Sequence, residues 1–384
     1  MVVFSRRSAL DLSKNRVTLA LEAARARAEP VLDLTVSNPT LAGIRYADGI
    51  AGALSRAPGV LRYEPEPFGL RPAREAVSAL FRARGVSVPA EHVALTASTS
   101  EAYAFSFKLF CDPGDQVLVP APSYPLLEHL GALEGVELVP YRLGFDGAWF
   151  IDVAEVARAV TERTRAIVLV SPNNPTGSYL KRDELARLVA LGLPLISDEV
   201  FAEYPLGSDP RRAVSVLEAT EGLVLALDGL SKVAALPQLK LAWMALGGES
   251  NLVQSALSRL EVILDTFLSP STPVQRALPE LLASRHVATD AIRARLVANR
   301  AALGALSAGS ALTPLPIEGG WYGVVRMPAT ATDEDFTIRA IAAGVLVQPG
   351  YFFDFEREPY LVVSLLTPEA TFAEGVMRLR GLVS

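Results

Sequence analysis

The chain has 384 residues, half of them apolar and a fifth charged, so its composition is that of a globular protein and not of a disordered one. Lys and Arg number 36 against 42 Asp and Glu, and the two signs are interspersed, so nothing indicates nucleic-acid binding. A single cysteine, Cys111, excludes a disulfide framework and a thiolate metal site, and the three histidines lie too far apart along the chain to favour a metal site.

The N-terminal stretch, up to about residue 30, has a helical pattern rich in Ala and Arg. Ser5-Arg6-Arg7-Ser8 contains the arginine pair of a twin-arginine export signal, but charged residues at 11–16 stand where an apolar stretch should follow. No apolar run reaches the roughly 18 residues that cross a bilayer. We therefore expect a cytoplasmic protein that makes no membrane contact.

Short apolar runs rich in Val, Leu and Ile alternate with helical patterns between about residues 90 and 232. Because the runs are apolar throughout, they predict a mostly parallel sheet covered by helices on both faces. Ligands of such sheets bind at the carboxyl ends of the strands, where unusual polar residues should therefore occur. The runs are 93–97, 116–120, 136–140, 166–170, 193–197 and 223–227, with helical stretches at 100–110, 152–160 and 181–191.

The first run is followed by Ser98-Thr99-Ser100-Glu101. This is the pattern of a capping box, with Ser98 as the N-cap and Glu101 at the third helical position. Hydroxyls and backbone N–H groups at a helix N-terminus also form a binding site for phosphate. We expect both roles at this position.

Two loops carry candidate contacts to a planar ligand. Tyr124, in the loop after the second run, is either an ordinary core residue or a ring that stacks on a cofactor. The segment 171–177 (SPNNPTG) follows the fourth run and, considered alone, is equally compatible with a plain turn.

Charged side chains follow the last two runs. Asp198 and Glu199 come directly after a buried run, and a buried carboxylate needs a cationic partner such as a protonated pyridine nitrogen. Lys232, in the segment GLSK, either extends its amine to the surface or is a partly desolvated amine with a lowered pKa. Schiff-base chemistry requires an amine of the second kind.

The C-terminal part of the chain changes in character. Residues 251–310 have the pattern of long helices, interrupted near 269–273, and residues 313–384 mix short strands with helix. This predicts a second, smaller α+β domain. With 384 residues exceeding what one core usually holds, we expect a large domain at 46–282 and a small domain formed by 1–45 and 283–384.

In their order and spacing these segments resemble the class I/II aminotransferases of pyridoxal-phosphate fold type I. The resemblance extends from about residue 33 to the C-terminus and is strongest in SPNNPTG, SDEV and LSK. It implies an α/β fold with a mostly parallel seven-stranded sheet between helices, plus the smaller α+β domain. It also implies pyridoxal 5'-phosphate as the cofactor, an amino donor and a 2-oxo acid as substrates, and a homodimer.

The resemblance assigns the central roles to three residues. Lys232 would hold the cofactor as an internal aldimine and later move the proton between substrate Cα and cofactor. Asp198 would pair with the pyridine nitrogen and keep it protonated as an electron sink. Asn174 would donate a hydrogen bond to the cofactor's phenolic oxygen.

It assigns the surrounding contacts as well. Tyr124 would stack on the ring, and Ser98, Thr99 and Ser100 would hold the phosphate. Tyr63, in the segment YEPEPFG, would reach the phosphate of the neighbouring subunit, which is why a homodimer is implied.

Three positions depart from the family pattern around the cofactor. Lys240 stands where an arginine usually clamps the phosphate, so it supplies a point charge without the bidentate fork. Gly229 replaces a serine. Phe201 replaces the tyrosine that shares the phenolic oxygen with the asparagine, and we expect this loss of a hydroxyl to alter the aldimine pKa.

Val362 is the most consequential departure, because it stands where the family has the arginine that binds the substrate α-carboxylate. We see two outcomes. Another arginine enters the site, with Arg357 and Arg326 as the nearest candidates, or the substrate lacks a free α-carboxylate and is an amine or an esterified or carrier-bound amino acid.

Together these features predict an aminotransferase. One alternative is a pyridoxal-phosphate-dependent lyase, decarboxylase or racemase on the same fold, which Val362 favours because fixing the carboxylate helps to select the bond that breaks. The other is a non-catalytic pyridoxal-phosphate-binding or regulatory protein. No DNA-binding segment is evident in the first 45 residues, and both Lys232 and Asp198 are present, which argues against the second alternative.

Overall fold

The computed structural model describes residues 4–8, 11–356 and 359–383, and these form layers of helices around three sheets. The strands are β1 (Leu32–Asp33), β2 (Val93–Thr96), β3 (Gln116–Ala121), β4 (Glu137–Phe145), β5 (Trp149–Ile151), β6 (Thr164–Val170), β7 (Leu195–Asp198), β8 (Leu223–Gly229), β9 (Ala242–Gly248), β10 (Thr313–Pro314), β11 (Tyr322–Arg326), β12 (Val345–Leu346), β13 (Gln348–Pro349) and β14 (Tyr360–Ser364). The α-helices are α1 (Arg16–Ala26), α2 (Ala53–Arg56), α3 (Arg71–Ala83), α4 (Thr99–Phe110), α5 (Leu126–Glu134), α6 (Val153–Ala159), α7 (Arg182–Val189), α8 (Leu230–Val233), α9 (Ser250–Phe267), α10 (Thr272–Ala283), α11 (His286–Ser307), α12 (Asp333–Ala342) and α13 (Glu369–Gly381). Short 3-10 helices lie at Arg6–Ser8, Ile50–Gly52, Ala90–His92, Val216–Glu218, Pro237–Leu239 and Gly350–Phe353.

The large sheet has the strand order β2-β9-β8-β7-β6-β3-β4-β5. Strands β4, β3, β6, β7 and β8 are mutually parallel, and β9 is antiparallel to its neighbours. Among the described residues the sheet has eight strands, so the expected number of seven was wrong. The sequence gives no recognisable pattern for β5, because this strand is only three residues long. It pairs antiparallel with the end of β4 across a turn at Gly147, whose φ is +106°.

Both faces of this sheet are buried, as its uniformly apolar strands predict. In β6, Ala166 and Val168 pack into the cluster that contains side chains of α4 and α9. Ile167 and Leu169 point the other way, into the cluster that contains side chains of α3 and α10. Consecutive residues therefore pack into opposite cores, and together with the parallel pairing of five strands this confirms the mostly parallel α/β architecture.

The second part of the fold is built on a four-stranded antiparallel sheet of order β10-β11-β14-β13. Its core holds the fully buried rings of Trp321, Phe336 and Phe372. Strand β1 pairs with β12, which brings the N-terminal segment beside the C-terminal third of the chain. The division into 46–282 and the two chain ends stays a prediction.

The topology determines where the polar residues lie. The carboxyl ends of β3, β6, β7 and β8 meet at one edge of the sheet, so Tyr124, Asn174, Asp198 and Lys232 all lie at or just after strand ends there.

Within the described ranges, no helix combines the length and apolar character needed to cross a membrane.

Candidate active site

Lys232 lies in α8, directly after the last parallel strand. Its Nζ is 4.6 Å from the centroid of the Trp321 ring and 5.5 Å from that of Phe201. Burial lowers the pKa of this amine to about 8, although the nearby Asp198 carboxylate opposes the change. About a tenth of the amine is therefore neutral at pH 7, and the neutral form is the nucleophile.

Asp198 is the final residue of β7 and holds two hydrogen bonds. Oδ1 accepts from the Val200 backbone N–H at 3.2 Å, and Oδ2 accepts from the Tyr103 hydroxyl at 3.3 Å. Burial raises the pKa of this carboxyl to about 6, and the hydrogen bonds and the charge of Lys232 only partly offset the effect. A cationic group in contact with Asp198 would relieve this destabilisation of the carboxylate.

Glu199, the other half of the acidic pair, points away from Asp198 into the core. Its Oε1 accepts from the Val216 backbone N–H at 2.7 Å, and burial raises its pKa to about 7. Glu199 is therefore engaged with the segment at Val216 and does not share the hydrogen bonds of Asp198.

The loop after β6 places two asparagines with different roles. Asn173 Nδ2 donates to the Pro122 carbonyl at 3.1 Å and to Thr176 Oγ1 at 2.9 Å, which ties this loop to the one that carries Tyr124. Asn174 is buried, and its Oδ1 has no hydrogen-bond partner among the described residues. An unsatisfied buried amide is costly, so a ligand that engages this side chain would be favoured.

The N-terminus of α4 forms the expected cap. Ser98 Oγ accepts from the Glu101 backbone N–H at 3.1 Å, and the Glu101 carboxylate accepts from the Ala97 N–H at 2.6 Å. The Glu101 side chain thus reaches one residue beyond the N-cap, a small variation on the capping box. Thr99 and Ser100 form the first turn and are partly exposed, which is compatible with a phosphate at this position.

Tyr124 faces the same region from the loop after β3. Tyr124 is 45% exposed, and partial burial, with a smaller contribution from the Asp198 carboxylate, raises the pKa of its hydroxyl. Burial raises the pKa of the Tyr322 hydroxyl on β11, and its ring lies 6.3 Å from that of Phe201. The two tyrosines come from different parts of the fold and lie close enough for Tyr124 to contribute to raising the pKa of Tyr322, after the larger effect of burial.

Two predicted contacts are not tested by this single chain. Lys240 is exposed and has left-handed backbone geometry (φ 51°), at the end of a 3-10 turn eight residues after Lys232. Tyr63 is 70% exposed in the loop before α3. The cofactor roles of both residues stay predictions.

Val362 lies on β14, whose three central residues are apolar and buried. Val362 is fully buried between Val324 of β11 and Gln348 of β13, so no guanidinium enters the site from this position. Arg326 is exposed at the end of β11 and lines a cavity. Arg357 lies outside the described residues.

Several residues of the site were not identified from the sequence. Tyr103 binds Asp198, Tyr204 donates its hydroxyl hydrogen to the Lys232 carbonyl, and the Trp321 ring lies against the lysine amine. Of these three, only Trp321 has a recognisable sequence context, since it follows the glycine pair of the segment EGGWY.

These groups fit pyridoxal phosphate by their chemistry. Asp198 is a carboxylate whose raised pKa a pyridinium nitrogen would lower. The unpaired atom of Asn174 is its acceptor Oδ1, so its Nδ2 is the atom that could donate to a phenolic oxygen. Lys232 is an amine of lowered pKa, and the half-buried hydroxyls of Thr99 and Ser100 begin a helix. Hydroxyls for the phosphate, an amide for the phenolic oxygen, a carboxylate that accepts from the ring nitrogen and a nucleophilic amine for the aldehyde carbon therefore follow strands that end at one edge of the sheet.

Comparison with known proteins identifies the family. Residues 30–379 match the model of the aminotransferase class I and II family, so the chain belongs to this family, whose members depend on pyridoxal phosphate. The glutamate-pyruvate aminotransferase AlaA of Escherichia coli K12 is 28% identical over 257 residues, or 66% of this chain and 63% of that protein. The alanine aminotransferase of Mycobacterium tuberculosis H37Rv is 29% identical over 70% of this chain and 65% of its own length. The matched region is thus somewhat less than two thirds of either relative.

Solved structures show the same architecture over the whole chain. An alanine aminotransferase from Pyrococcus furiosus superposes with a TM-score of 0.88 at 23% identity, covering 99% of both chains. A mutant aspartate aminotransferase from Thermus thermophilus superposes with a TM-score of 0.81 at 25% identity, covering 100% of both. The predicted fold type I is confirmed.

Proposed function

We propose that this protein is a pyridoxal-phosphate-dependent aminotransferase that moves an amino group between an amino acid or amine and a 2-oxo acid. The observation that carries the proposal is the pair of opposite pKa shifts at one sheet edge. Burial lowers the pKa of the Lys232 amine to about 8 and raises that of the Asp198 carboxyl to about 6. Shifts of this kind are typical of functional sites.

The cofactor, when bound, supplies the electron sink for reactions at the substrate Cα. Asp198 would hold the proton on its ring nitrogen, and Asn174 would donate to its phenolic oxygen. Lys232 Nζ, once displaced by the substrate amine, would accept the proton from substrate Cα, because the neutral amine is accessible near neutral pH. The aromatic walls formed by Phe201 and Trp321 limit water around this nitrogen.

The remaining cofactor contacts are proposed on the same basis. Thr99 and Ser100 would bind the phosphate with Ser98, whose hydroxyl already caps α4. Lys240 would add a positive charge there, and Tyr124 would stack on the ring. The exposure of these residues is compatible with ligand contact, since Ser98, Thr99 and Ser100 are half-buried and Lys240 and Tyr124 are exposed.

We also propose a homodimer in which Tyr63 reaches the partner's phosphate site. Tyr63 and Leu61 are exposed in one loop, and Phe267 and Leu268 are exposed at the end of α9, so two loops present large apolar side chains to solvent. Light scattering coupled to gel filtration tests the stoichiometry, and a monomeric holoenzyme would refute the homodimer.

A cytoplasmic location is also proposed. It is compatible with the free thiol of Cys111 and is tested by cell fractionation.

The decisive experiment is a visible-absorption screen of the holoenzyme against a panel of amino acids and amines. Conversion of the bound cofactor to its pyridoxamine form, reversed by a 2-oxo acid, supports transamination. Release of an aldehyde or CO₂ without conversion supports the lyase or decarboxylase alternative, and inversion of the substrate supports a racemase. No spectral response to any compound favours a binding protein.

A second experiment tests the lysine itself. Borohydride reduction of the holoenzyme is expected to fix the cofactor to Lys232, and Lys232→Ala protein should yield no such adduct. Lys14→Ala, which removes an exposed ammonium paired with Glu22, is the matched control and should be labelled normally. Covalent trapping of the cofactor in Lys232→Ala protein would show that another amine is used.

A further inference from the structure

A buried ion-pair network lies next to the segment that carries Lys232. Its centre is Arg84, which directly follows α3 and whose side chain is 11% exposed. Nη2 of this guanidinium lies 2.9 Å from Asp228 Oδ2, and Nε donates to Glu203 Oε1 at 2.9 Å. Arg293 of α11 donates to Glu203 Oε2 at 3.0 Å and to the Glu203 carbonyl at 2.8 Å. The network therefore joins α3, β8, α11 and the loop after β7.

One carboxylate of the network holds the start of the helix that contains Lys232. Asp228 is the penultimate residue of β8, is fully buried, and precedes Lys232 by four residues. Its Oδ1 accepts from the Gly229 backbone N–H at 2.7 Å, and Gly229 is the N-cap of α8. Asp228 thus connects the Arg84 guanidinium to the point at which β8 ends and α8 begins.

The other carboxylate holds a segment that contacts Lys232 directly. Glu203 immediately precedes Tyr204, whose hydroxyl donates to the Lys232 carbonyl at 2.5 Å. The Tyr204 ring packs edge-on against that of Trp321, with the centroids 5.2 Å apart, and the Trp321 ring lies 4.6 Å from Lys232 Nζ. Glu203 therefore fixes a segment that supports both the backbone and the amine of the lysine.

The chemistry of Arg84 suits this double contact. A guanidinium presents its donors in a rigid planar fork, so it can hold two carboxylates at a fixed angle, whereas an ammonium is a point charge. Burial raises the pKa of the Asp228 carboxyl, and the Arg84 charge opposes that effect. Buried ion pairs are often no more stabilising than apolar side chains of similar volume, so stability alone does not explain the network. What its two carboxylates share is their connection to Lys232.

We propose that Arg84 is a positioning residue for Lys232. By holding Asp228 and Glu203 together, it fixes the start of α8 relative to the loop after β7, and this determines where the lysine amine lies in the site. The inference rests on the proposed function, because the positioned amine is the one that would bind pyridoxal phosphate.

The first test examines the lysine in the apoprotein, without cofactor or turnover. Reductive methylation by formaldehyde and cyanoborohydride, followed by mass spectrometry across a pH series, gives the pKa of the Lys232 amine. Burial holds that pKa at about 8, and Asp198 is the charged group that acts on it. Arg84→Lys retains the charge but lacks the fork, so the amine should be less well buried. The methylation midpoint should therefore rise above 8, toward the ordinary value of 10.5.

The second test measures the covalent attachment of pyridoxal phosphate, in which Lys232 Nζ condenses with the cofactor aldehyde and water leaves. Stopped-flow absorbance should show attachment about ten- to a hundredfold slower in Arg84→Lys. The reason is that a displacement of about 1 Å from the productive geometry can slow a reaction by as much as this.

Two controls separate positioning from the general effects of a substitution. Arg82→Lys makes the same change at an exposed residue of α3. Val77→Ala removes buried methyl groups from the same helix and should lower the melting temperature without touching the network. Both proteins should keep the wild-type methylation midpoint and attachment rate.

The inference is overturned if Arg84→Lys keeps the wild-type midpoint and attachment rate, or if Val77→Ala changes both to the same extent. Glu203→Gln decides the matter if Arg84→Lys does not fold. It should change both quantities in the same direction, and wild-type values would again overturn the proposal.

Failure of the proposed function gives a different result. If no protein attaches pyridoxal phosphate but the methylation midpoint still rises in Arg84→Lys, the positioning role stands and the proposed function fails. Normal attachment in every protein, with an unchanged midpoint in Arg84→Lys, refutes the positioning role alone.

Discussion

Replacing Tyr103 by Phe is expected to raise the pKa of Asp198 by about one unit. The substitution removes the hydroxyl that donates to Asp198 Oδ2 at 3.3 Å and keeps the buried ring, which packs against Phe107. Hydrogen bonds to charged groups contribute about 1.5–3 kcal/mol, and a separation longer than usual for O–H···O places this one at the lower end. About 1.5 kcal/mol corresponds to about one pKa unit.

Cofactor affinity measures this shift. A pyridinium pairs with the ionised carboxylate, so affinity falls as the pH drops below the pKa of Asp198 in the free protein. That pKa is about 6, and it should lie near 7 in Tyr103→Phe. Titrating the apoprotein with pyridoxal phosphate between pH 5 and 9 should therefore show the loss of affinity starting about one pH unit higher in the variant.

The matched control is Tyr141→Phe. The Tyr141 hydroxyl is equally buried and donates to the Val168 carbonyl at 2.9 Å, but it does not contact Asp198. Titration of the cofactor phosphate affects all three proteins alike, so the difference between variants isolates the carboxyl. Superimposable profiles for wild type and Tyr103→Phe, or an equal shift in Tyr141→Phe, would refute the role of Tyr103.

Three further substitutions test other groups of the site. Asp198→Asn should reduce turnover by several orders of magnitude, and near-normal turnover would remove Asp198 from the mechanism. The same variant should raise the melting temperature of the apoprotein at pH 8 but not at pH 4. Folding raises the pKa of this carboxyl from 3.8 to about 6, so the ionised carboxylate destabilises the native state by on the order of 3 kcal/mol. This cost is present at pH 8, where the carboxyl is ionised, and is largely absent at pH 4. Asp146→Asn, on an exposed turn, should show no such pH-dependent gain. Asn174→Ala should raise the pH midpoint of the bound cofactor's absorbance titration, because a donor to the phenolic oxygen is lost, and an unchanged midpoint argues against that contact. Phe201→Tyr adds a donor and should lower the same midpoint, whereas a rise would mean that its hydroxyl points elsewhere.

The sequence was informative wherever a strand end determined the position of a side chain. Asp198 and Lys232 follow uniformly apolar strands of a parallel sheet, and such strands deliver their terminal residues to a single edge. The capping pattern at Ser98 was equally local and was confirmed by the hydrogen bonds of α4. In these cases a few neighbouring residues carry the whole signal.

Contacts made across the fold were not predictable in this way. Tyr103 lies on a helix face that is aromatic for packing reasons, and nothing near it in sequence indicates a carboxylate partner. Arg142 of β4 and Arg326 of β11 line one cavity but belong to different sheets, so their arrangement depends on how those sheets pack. Strand β5 was missed because three residues in a hairpin give no recognisable period.

The position of Trp321 makes its fluorescence a probe of the chemical state of Lys232. The indole is fully buried, lies 4.6 Å from Lys232 Nζ, and is held edge-on by Phe201 and Tyr204 at 5.3 and 5.2 Å. A charge on the amine acts directly on the excited ring at this distance, so its emission should change when the lysine loses a proton or forms a covalent bond. The chain has three tryptophans, and replacing Trp149 and Trp243 by Phe would leave a single emitter whose fluorescence reports the state of the lysine in unlabelled protein.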